Sequence, residues 1–254
     1  MKKIPLTVVV LTYNEQKNIE ECLNSASFAD EILVIDGGSK DETQAIAKKL
    51  GAKVLFHELN NDYSAQRNFG IENAKNEWIF MLDADERITD KLAQEISKCI
   101  ENNLDETYRV SRENHFVEGK CLHGTLRPDY VERLFKKTGS YYEGIIHERL
   151  KTPYTLKKLK GRLIHFPYYD YESHLNKLNK YTTLLAKKYH EKGKKCSFVR
   201  DILIKPSFAF FKMYVIHGGF LDGKLGLQFC LLHYFYTLEK YLKLYSLNKH
   251  NGRI

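Results

Sequence analysis

Two carboxylates one residue apart, Asp83 and Asp85, follow the apolar run Trp78 to Leu82. An Asp-x-Asp after a strand offers hard oxygen donors. Mg²⁺ or Mn²⁺ binds such carboxylates together with substrate phosphates rather than in an all-protein cage. The competing reading is that the pair caps a helix starting near Thr89. A third carboxylate, Asp36, ends the run Glu31 to Ile35 and precedes Gly37-Gly38. There it can accept hydrogen bonds from a base or ribose, or simply shape a turn. The loop Gly37-Gly38-Ser39 lacks both the Gly-x-Gly-x-x-Gly and the Lys-Ser/Thr phosphate fingerprints. Further along, His147 beside Glu148, and His165 after Arg162 to Ile164, are candidate metal or phosphate contacts. Arg133 is suited to bidentate recognition of an oxyanion on a diphosphate or an acceptor.

These residues need elements to position them. Thr7 to Leu11 is a short β-branched apolar run suited to a buried parallel strand. Asn14 is placed to cap the next helix, with Ile19, Cys22 and Leu23 inward. After the strand Glu31 to Ile35, Ser39-x-x-Glu42 reads as a capping box, and Gly51 as the end of that helix. Ala52 to Phe56 reads as a strand, Tyr63 to Ala74 as a helix and Trp78 to Leu82 as a fourth strand. This alternation predicts an α/β fold with a parallel sheet and right-handed crossovers. Ligands in such sheets sit beyond the carboxyl ends of the strands, where Thr12, Asn14, Glu15, Asp36, Asp83 and Asp85 all fall.

From Thr107 the pattern becomes β-rich, and from Tyr171 helical. The division expected is an α/β region over 1–168, its pattern changing between 106 and 107, and a helical C-terminal region over 169–254.

The chain has 254 residues, 43% hydrophobic and 28% charged, enough for one substantial core and unlike a disordered chain. Net charge is +8, with lysines thickening after Lys136. No nucleic-acid fold signature accompanies them, so the anionic partner expected is a phosphorylated substrate or lipid surface. Five cysteines, odd in number and without a Cys-x-x-Cys, exclude a disulfide framework. Met1-Lys2-Lys3 leads into a strand rather than a signal-peptide core, so the expected compartment is the cytoplasm.

The stretches TVVVLTYNEQKNIEECLNS, EILVIDGGSKDET and SAQRNFGIENAKNEWIFMLDADERIT resemble, in order and spacing, family 2 glycosyltransferases. The resemblance covers roughly the first ninety residues. It implies a GT-A fold (a Rossmann-like, mostly parallel sheet), a UDP-sugar donor and inverting transfer, and makes residues 1–168 the catalytic domain, with a nucleotide-sugar half at 1–106 and an acceptor half at 107–168. It places Thr12, Asn14 and Glu15 at the nucleotide site and Asp36 on uracil or ribose. Arg67 with Gln66 would line the nucleotide pocket, Asp83 would touch the ribose, and Asp85 would ligate the metal. RLFKK, GIIHERL and the later GGFLDGKLG are similar to a subgroup that builds lipopolysaccharide inner core. Members of that subgroup resemble β-1,4-glucosyltransferases, so a hexose, glucose by this resemblance, is expected to pass to a lipopolysaccharide or lipooligosaccharide acceptor.

Inverting transfer needs a base on the acceptor hydroxyl and charge neutralisation on the leaving diphosphate. Glu148 is the expected base. His147-Glu148 stands where many family members carry Glu-Asp or Asp-x-Asp, and a salt bridge with Arg149 or Arg133 is the competing reading. The C-terminal stretches 197–216 and 225–245 are aromatic but interrupted by charges, too polar to span a bilayer. They suit interfacial helices on the inner face of the cytoplasmic membrane, drawn by anionic lipid; the alternatives are packing on the catalytic domain or a homodimer interface. A sugar-phosphate nucleotidyltransferase and a non-catalytic nucleotide- or glycan-binding protein remain the rivals. The former would carry a Gly-rich, Arg-containing loop where Tyr13-Asn14-Glu15 stands.

Overall fold

In the computed structural model, residues 3–60, 62–116, 119–144, 148–168, 171–250 and 252 are described. The chain divides into two compact units, Met1–Arg112 with Asp129–His165, and Glu113–Pro128 with Phe166–Ile254. Residues 113–128, assigned from sequence to the acceptor half, fall in the second unit.

The first half runs β1 (Ile4–Thr12), α1 (Ile19–Ser25), β2 (Ala29–Asp36), α2 (Thr43–Lys49), β3 (Lys53–Phe56), α3 (Tyr63–Asn73), β4 (Trp78–Asp83), β5 (Glu86–Ile88) and α4 (Asp90–Asn102). It continues through β6 (Glu106–Phe116), β7 (Gly119–Cys121), β8 (Tyr130–Lys136), β9 (Tyr141–Glu143), β10 (Arg149–Lys151) and β11 (Thr155–His165). The main sheet has the order β3-β2-β1-β4-β8-β6-β11-β5. Strands β3, β2, β1 and β4 are parallel. The pairs β4–β8, β6–β8 and β11–β5 are antiparallel. The fold is therefore α/β with parallel strands β1 to β4, as the strand–helix alternation predicts.

Strand β1 lies between β2 and β4, and its residues from Leu6 to Thr12 are buried. That explains a sequence with almost no polar alternation. Leu6, Val8 and Val10 pack with Ile19, Leu23, Leu92 and Ile96. Val9 and Leu11 join Ile71, Met81, Phe135 and Tyr142 in a separate cluster. Because successive strand side chains point to opposite faces, these are the cores on the two sides of the sheet. Helix α3 lies so close to β1 that a Cβ on Gly70 would come within 2.5 Å of Val9 Cγ1. Glycine is what permits this approach.

Helix starts differ from the sequence reading in three places. Asp62 caps α3 by accepting the Ala65 N–H, and Thr89 caps α4 by accepting that of Leu92. Asp83 and Asp85 are therefore not helix caps. Asn14 does not cap α1, which begins after Asn18. Instead Asn14 is left-handed, with φ 57°. Asparagine tolerates that conformation better than most residues. Ser39 and Glu42 form no capping box either: α2 opens at Thr43, whose N–H and hydroxyl both donate to Asp41 Oδ1.

The second unit holds α5 (Tyr171–Glu191), α6 (Lys205–Phe211) and α7 (Gly223–Lys249), with wider π-helical turns at Phe198–Ile204 and Lys212–Ile216. Helices α5 and α7 run side by side in the same direction. Near one end the His174 ring lies 5.7 Å from that of Phe229; at the other, His190 Nδ1 lies 2.9 Å from Asn248 Oδ1. Ala186, Ile202, Tyr241, Leu244 and Leu247 fill the seam. Asp222 ties in the segment after β7: its Oδ2 accepts the N–H groups of Leu122 at 3.0 Å and His123 at 2.7 Å, and its Oδ1 bonds His123 Nδ1 at 2.8 Å. Among the described residues no helix is long and apolar enough to cross a membrane. All five cysteines are free.

Candidate functional site

The parallel register brings the carboxyl ends of three strands level. Thr12 pairs with Asp36 across β1 and β2, and Leu11 with Asp83 across β1 and β4. Asp36 is fully buried. Its Oδ2 accepts the N–H groups of Gly38 and Ser39, both at 2.9 Å, and Gln44 Nε2 at 2.8 Å. Its Oδ1 accepts the Thr12 hydroxyl at 3.2 Å. Asp36 thus shapes the loop that follows it. Asn14 joins the same loop: its N–H donates to Ser39 Oγ at 2.9 Å and its Oδ1 accepts the Lys40 N–H at 2.8 Å. The Glu15 N–H donates to Thr43 Oγ1 at 2.8 Å, and its carboxylate accepts Asn18 Nδ2 at 2.8 Å. Two loops at the sheet edge are thereby locked to each other before any ligand enters.

Asp83 is held by two buried arginines. Arg67, on α3, donates to Oδ1 at 3.0 Å, and Arg133, on β8, donates to Oδ2. Burial opposes ionisation of Asp83, but Arg133 and Arg67 outweigh it and hold the carboxyl far below the ordinary range. Glu86, fully buried, accepts from Arg133 at 2.6 Å and from the Asp83 N–H at 3.1 Å. Its pKa moves the other way, raised chiefly by burial. Arg112 lies 3.6 Å from Glu86 and pairs with Asp129. Gln66 is buried beside the Gly37 loop, donating to the His57 carbonyl at 2.8 Å.

The arginines face a cavity of about 320 Å³, also lined by Tyr142, Glu148 and Arg149. Among the described residues, Arg67 Nε and Nη1, Arg133 Nε and the Tyr142 hydroxyl are buried without a hydrogen-bond partner. Buried donors of this kind are costly to leave unmet, so the site favours a ligand rich in acceptor oxygens. Glu148 lies 3.5 Å from Arg67, and among the described residues no ion pair joins it to Arg149 or Arg133. The Arg67 guanidinium also rests 5.2 Å from the Tyr142 ring centroid.

Asp85 faces a different partner. Its Oδ2 is 3.4 Å from His165 Nε2, and its side chain is 30% exposed. Antiparallel pairing of β11 with β5 makes this contact, with His165 opposite Glu86. Among the described residues no group of three or more His, Cys, Asp or Glu is arranged to hold a metal. One carboxylate and one imidazole nevertheless fit a cation that completes its shell with phosphate oxygens and water. Asp83, with both oxygens on guanidiniums, is the poorer ligand. His147 lies outside the described residues.

Glu86, Arg112 and Tyr142 escaped the sequence reading. A signal for Glu86 exists: it directly follows Asp-Ala-Asp within a run of four charges in five residues. Arg112 and Tyr142 carry none, because nothing in their local sequence places them beside Asp83.

Comparison with known proteins gives the family profile described as "Glycosyl transferase family 2" a match over residues 7–180. The lipopolysaccharide core biosynthesis glycosyltransferase LpsC of Rhizobium meliloti (strain 1021) is 27% identical over 246 residues, covering 91% of this chain and 90% of that protein. An uncharacterised glycosyltransferase of Rickettsia prowazekii is 26% identical, covering 98% and 88%. Among solved structures, S. aureus TarS 1-349 in complex with UDP-GlcNAc superposes with a TM-score of 0.50 at 16% identity, covering 98% of this chain and 93% of that one. That last likeness is one of fold.

Proposed function

Since this chain belongs to glycosyl transferase family 2, we propose that it is an inverting, metal-dependent enzyme moving a hexose, glucose in the reading favoured, from a UDP-sugar to a saccharide acceptor of a lipopolysaccharide or lipooligosaccharide core. The observation that carries this reading is the meeting of three strand ends, where Thr12 and Asp36 stand one register step beyond Asp83, itself held between two arginines. The acceptor class rests on the likeness to LpsC over nine-tenths of both chains.

In this reading residues 1–168 are the catalytic domain and 169–254 the helical region. Asp36 and Thr12 meet the base and ribose together with Asn14 and Glu15. Asp83 contacts the ribose, held in place by Arg67, with Gln66 beside the Gly37 loop. Asp85 and His165 would hold Mg²⁺ or Mn²⁺, which when bound neutralises charge on the leaving diphosphate. Arg133 adds positive potential on the diphosphate or acceptor side, and its rigid burial means no reorganisation is required when charge develops. Glu148, at the cavity wall, takes the proton from the acceptor hydroxyl as that oxygen attacks the anomeric carbon from the face opposite the diphosphate. Arg67 at 3.5 Å keeps Glu148 oriented for this.

A peripheral position on the cytoplasmic face of the membrane belongs to the same proposal. Phe198, Val199, Leu203, Ile204, Phe208 and Phe211 are each about half exposed or more. Arg200, Lys205 and Lys212 stand among them. Apolar side chains with interspersed bases suit an anionic lipid surface.

The test is incubation with Mn²⁺, a panel of UDP-sugars and purified core oligosaccharide. UDP release, a product one hexose heavier and a β linkage from an α-linked donor support the reading. An α linkage, or no transfer from any UDP-sugar in the presence of acceptor, overturns it.

A further inference from the structure

A second cavity, of about 240 Å³, lies wholly within the second unit. Its walls come from matched faces of two helices. His174, Lys177, Leu178 and Tyr181 of α5 stand at i, i+3, i+4 and i+7, as do Phe229, Leu232, His233 and Tyr236 of α7. At that spacing each set forms one stripe. Thr125, Leu126 and Tyr168 close the rim. Elsewhere along the two helices the seam is filled by the Tyr241 and Leu244 cluster.

The composition of the wall indicates what it receives. A pocket for an acyl chain would be aliphatic, whereas seven of these eleven residues pair an apolar body with a polar tip. The Tyr168 ring is tilted against His174, centroids 4.0 Å apart, and stacks on Phe116 at 6.4 Å, making a broad aromatic surface. Burial first, then the nearby phenols of Tyr181 and Tyr236, raises the pKa of Tyr168; burial first, then those of Tyr189 and Tyr181, raises that of Tyr236. Burial first, then the charges of Lys177 for His174 and of Lys240 and Lys212 for His233, depresses both imidazoles. Neutral at pH 7, each offers one donor and one acceptor, as a hydroxylated ligand requires. The Thr125 hydroxyl is buried with no partner among the described residues. Among the cavity's lining residues the cation is Lys177, whose Nζ sits 5.2 Å from the Tyr168 ring centroid.

We propose that this cavity is a saccharide subsite that takes a pyranose ring bearing an anionic substituent, the ring lying on the Tyr168 and Phe229 surface and the anion meeting Lys177. The volume suits one ring, being below the ~300 Å³ at which pockets for drug-sized ligands begin. The proposal rests on the reading that the acceptor is a glycan, and it names a feature that glycan carries: a carboxylate or phosphate on one sugar.

Saturation-transfer NMR on the full chain tests it, with methyl β-glucuronide, methyl β-glucoside and octanoate as probes. The glucuronide is expected to receive magnetisation on its ring protons. Tyr181→Ala, at a residue 49% exposed and so replaceable without loss of core, should abolish that signal. Lys177→Met should weaken the glucuronide severalfold and leave the glucoside unchanged. Loss of the Lys177 dependence, equal signals in the wild type and Tyr181→Ala, absence of glucuronide binding, or octanoate displacing the glucuronide would each overturn the subsite. Hydrolysis of the UDP-sugar donor is measured on the same samples and should be unaffected by both variants. Failure of that hydrolysis in the wild type counts against the proposed transferase, whereas its persistence without saccharide binding counts against the subsite alone.

Discussion

His165 stands 3.4 Å from Asp85 although 80 positions separate them in the chain. The antiparallel pairing of β11 with β5 makes the contact. If this pair holds the metal, Asp85→Ala should lower turnover by roughly 10²-fold or more. His165→Ala should chiefly raise the Mn²⁺ concentration needed for half-maximal activity. Initial rates of UDP release across a Mn²⁺ titration, with circular dichroism to verify folding, check both. Full activity in Asp85→Ala would contradict the assignment.

Glu148 separates a base from an ion-pair partner. Glu148→Gln keeps size and hydrogen bonding but cannot take a proton. As the base, it should lose ~10²–10⁴-fold in kcat for transfer with donor KM nearly unchanged. If the carboxylate served only to position Arg67, kcat would fall little and donor KM would rise. Steady-state transfer assays at saturating acceptor distinguish the two.

The hold of Arg133 and Arg67 on Asp83 has a pH signature. A carboxylate whose folded pKa is depressed stabilises the fold above its unfolded value and loses that contribution as pH falls. The urea midpoint of the wild type should therefore exceed that of Asp83→Asn by a steady margin from about pH 5 to 8. Below about pH 4, near the unfolded value, the two should converge progressively. Glu86, raised first by burial and in part by Asp83, acts in the opposite sense and lessens the margin. Arg133→Met, which leaves the buried Glu86 and the partly exposed Asp83 each short of a partner, should cost roughly 3–5 kcal/mol in the same assay.

Close packing of β11 on α4 gives a stability prediction away from the chemistry. A Cβ on Gly161 would sit 2.7 Å from Leu92 Cα and 2.9 Å from its backbone nitrogen. Backbone cannot yield as a side chain does, so Gly161→Ala should destabilise by about 1–3 kcal/mol. Activity per folded molecule at low temperature should stay near that of the wild type. Thermal unfolding in parallel with donor hydrolysis measures both.

Flotation with liposomes addresses the apolar residues between Phe198 and Phe211. The chain should float with anionic vesicles at low salt, less so at about 0.5 M salt, where the Debye length has shrunk to a few ångströms. Phe208→Ser with Phe211→Ser, both exposed, should reduce flotation without affecting donor hydrolysis. An unbound wild type at low salt would dispose of membrane association.

Much of this protein was legible in its sequence because parallel strands buried on both faces leave an unmistakable mark. The runs Thr7 to Leu11 and Trp78 to Leu82 have nowhere to go but the interior, and the polar residues ending them must then sit at one edge of the sheet. That reasoning located Asp36, Asp83 and Asp85 and the family-bearing motifs around them. It did not reveal their partners. Arg67 and Arg133 reach Asp83 from α3 and β8, and Asn14, expected at a helix start, ties two loops together through a left-handed turn. Such contacts depend on antiparallel register and on how closely helices approach the sheet, which hydrophobic periodicity does not encode. Local pattern determined which residues lie at the strand ends. The resemblance already assigned Asp83 and Asp85 different roles; only the tertiary structure gave their partners, arginines for Asp83 and His165 for Asp85, because strand pairing across long sequence separations decides what each carboxylate meets.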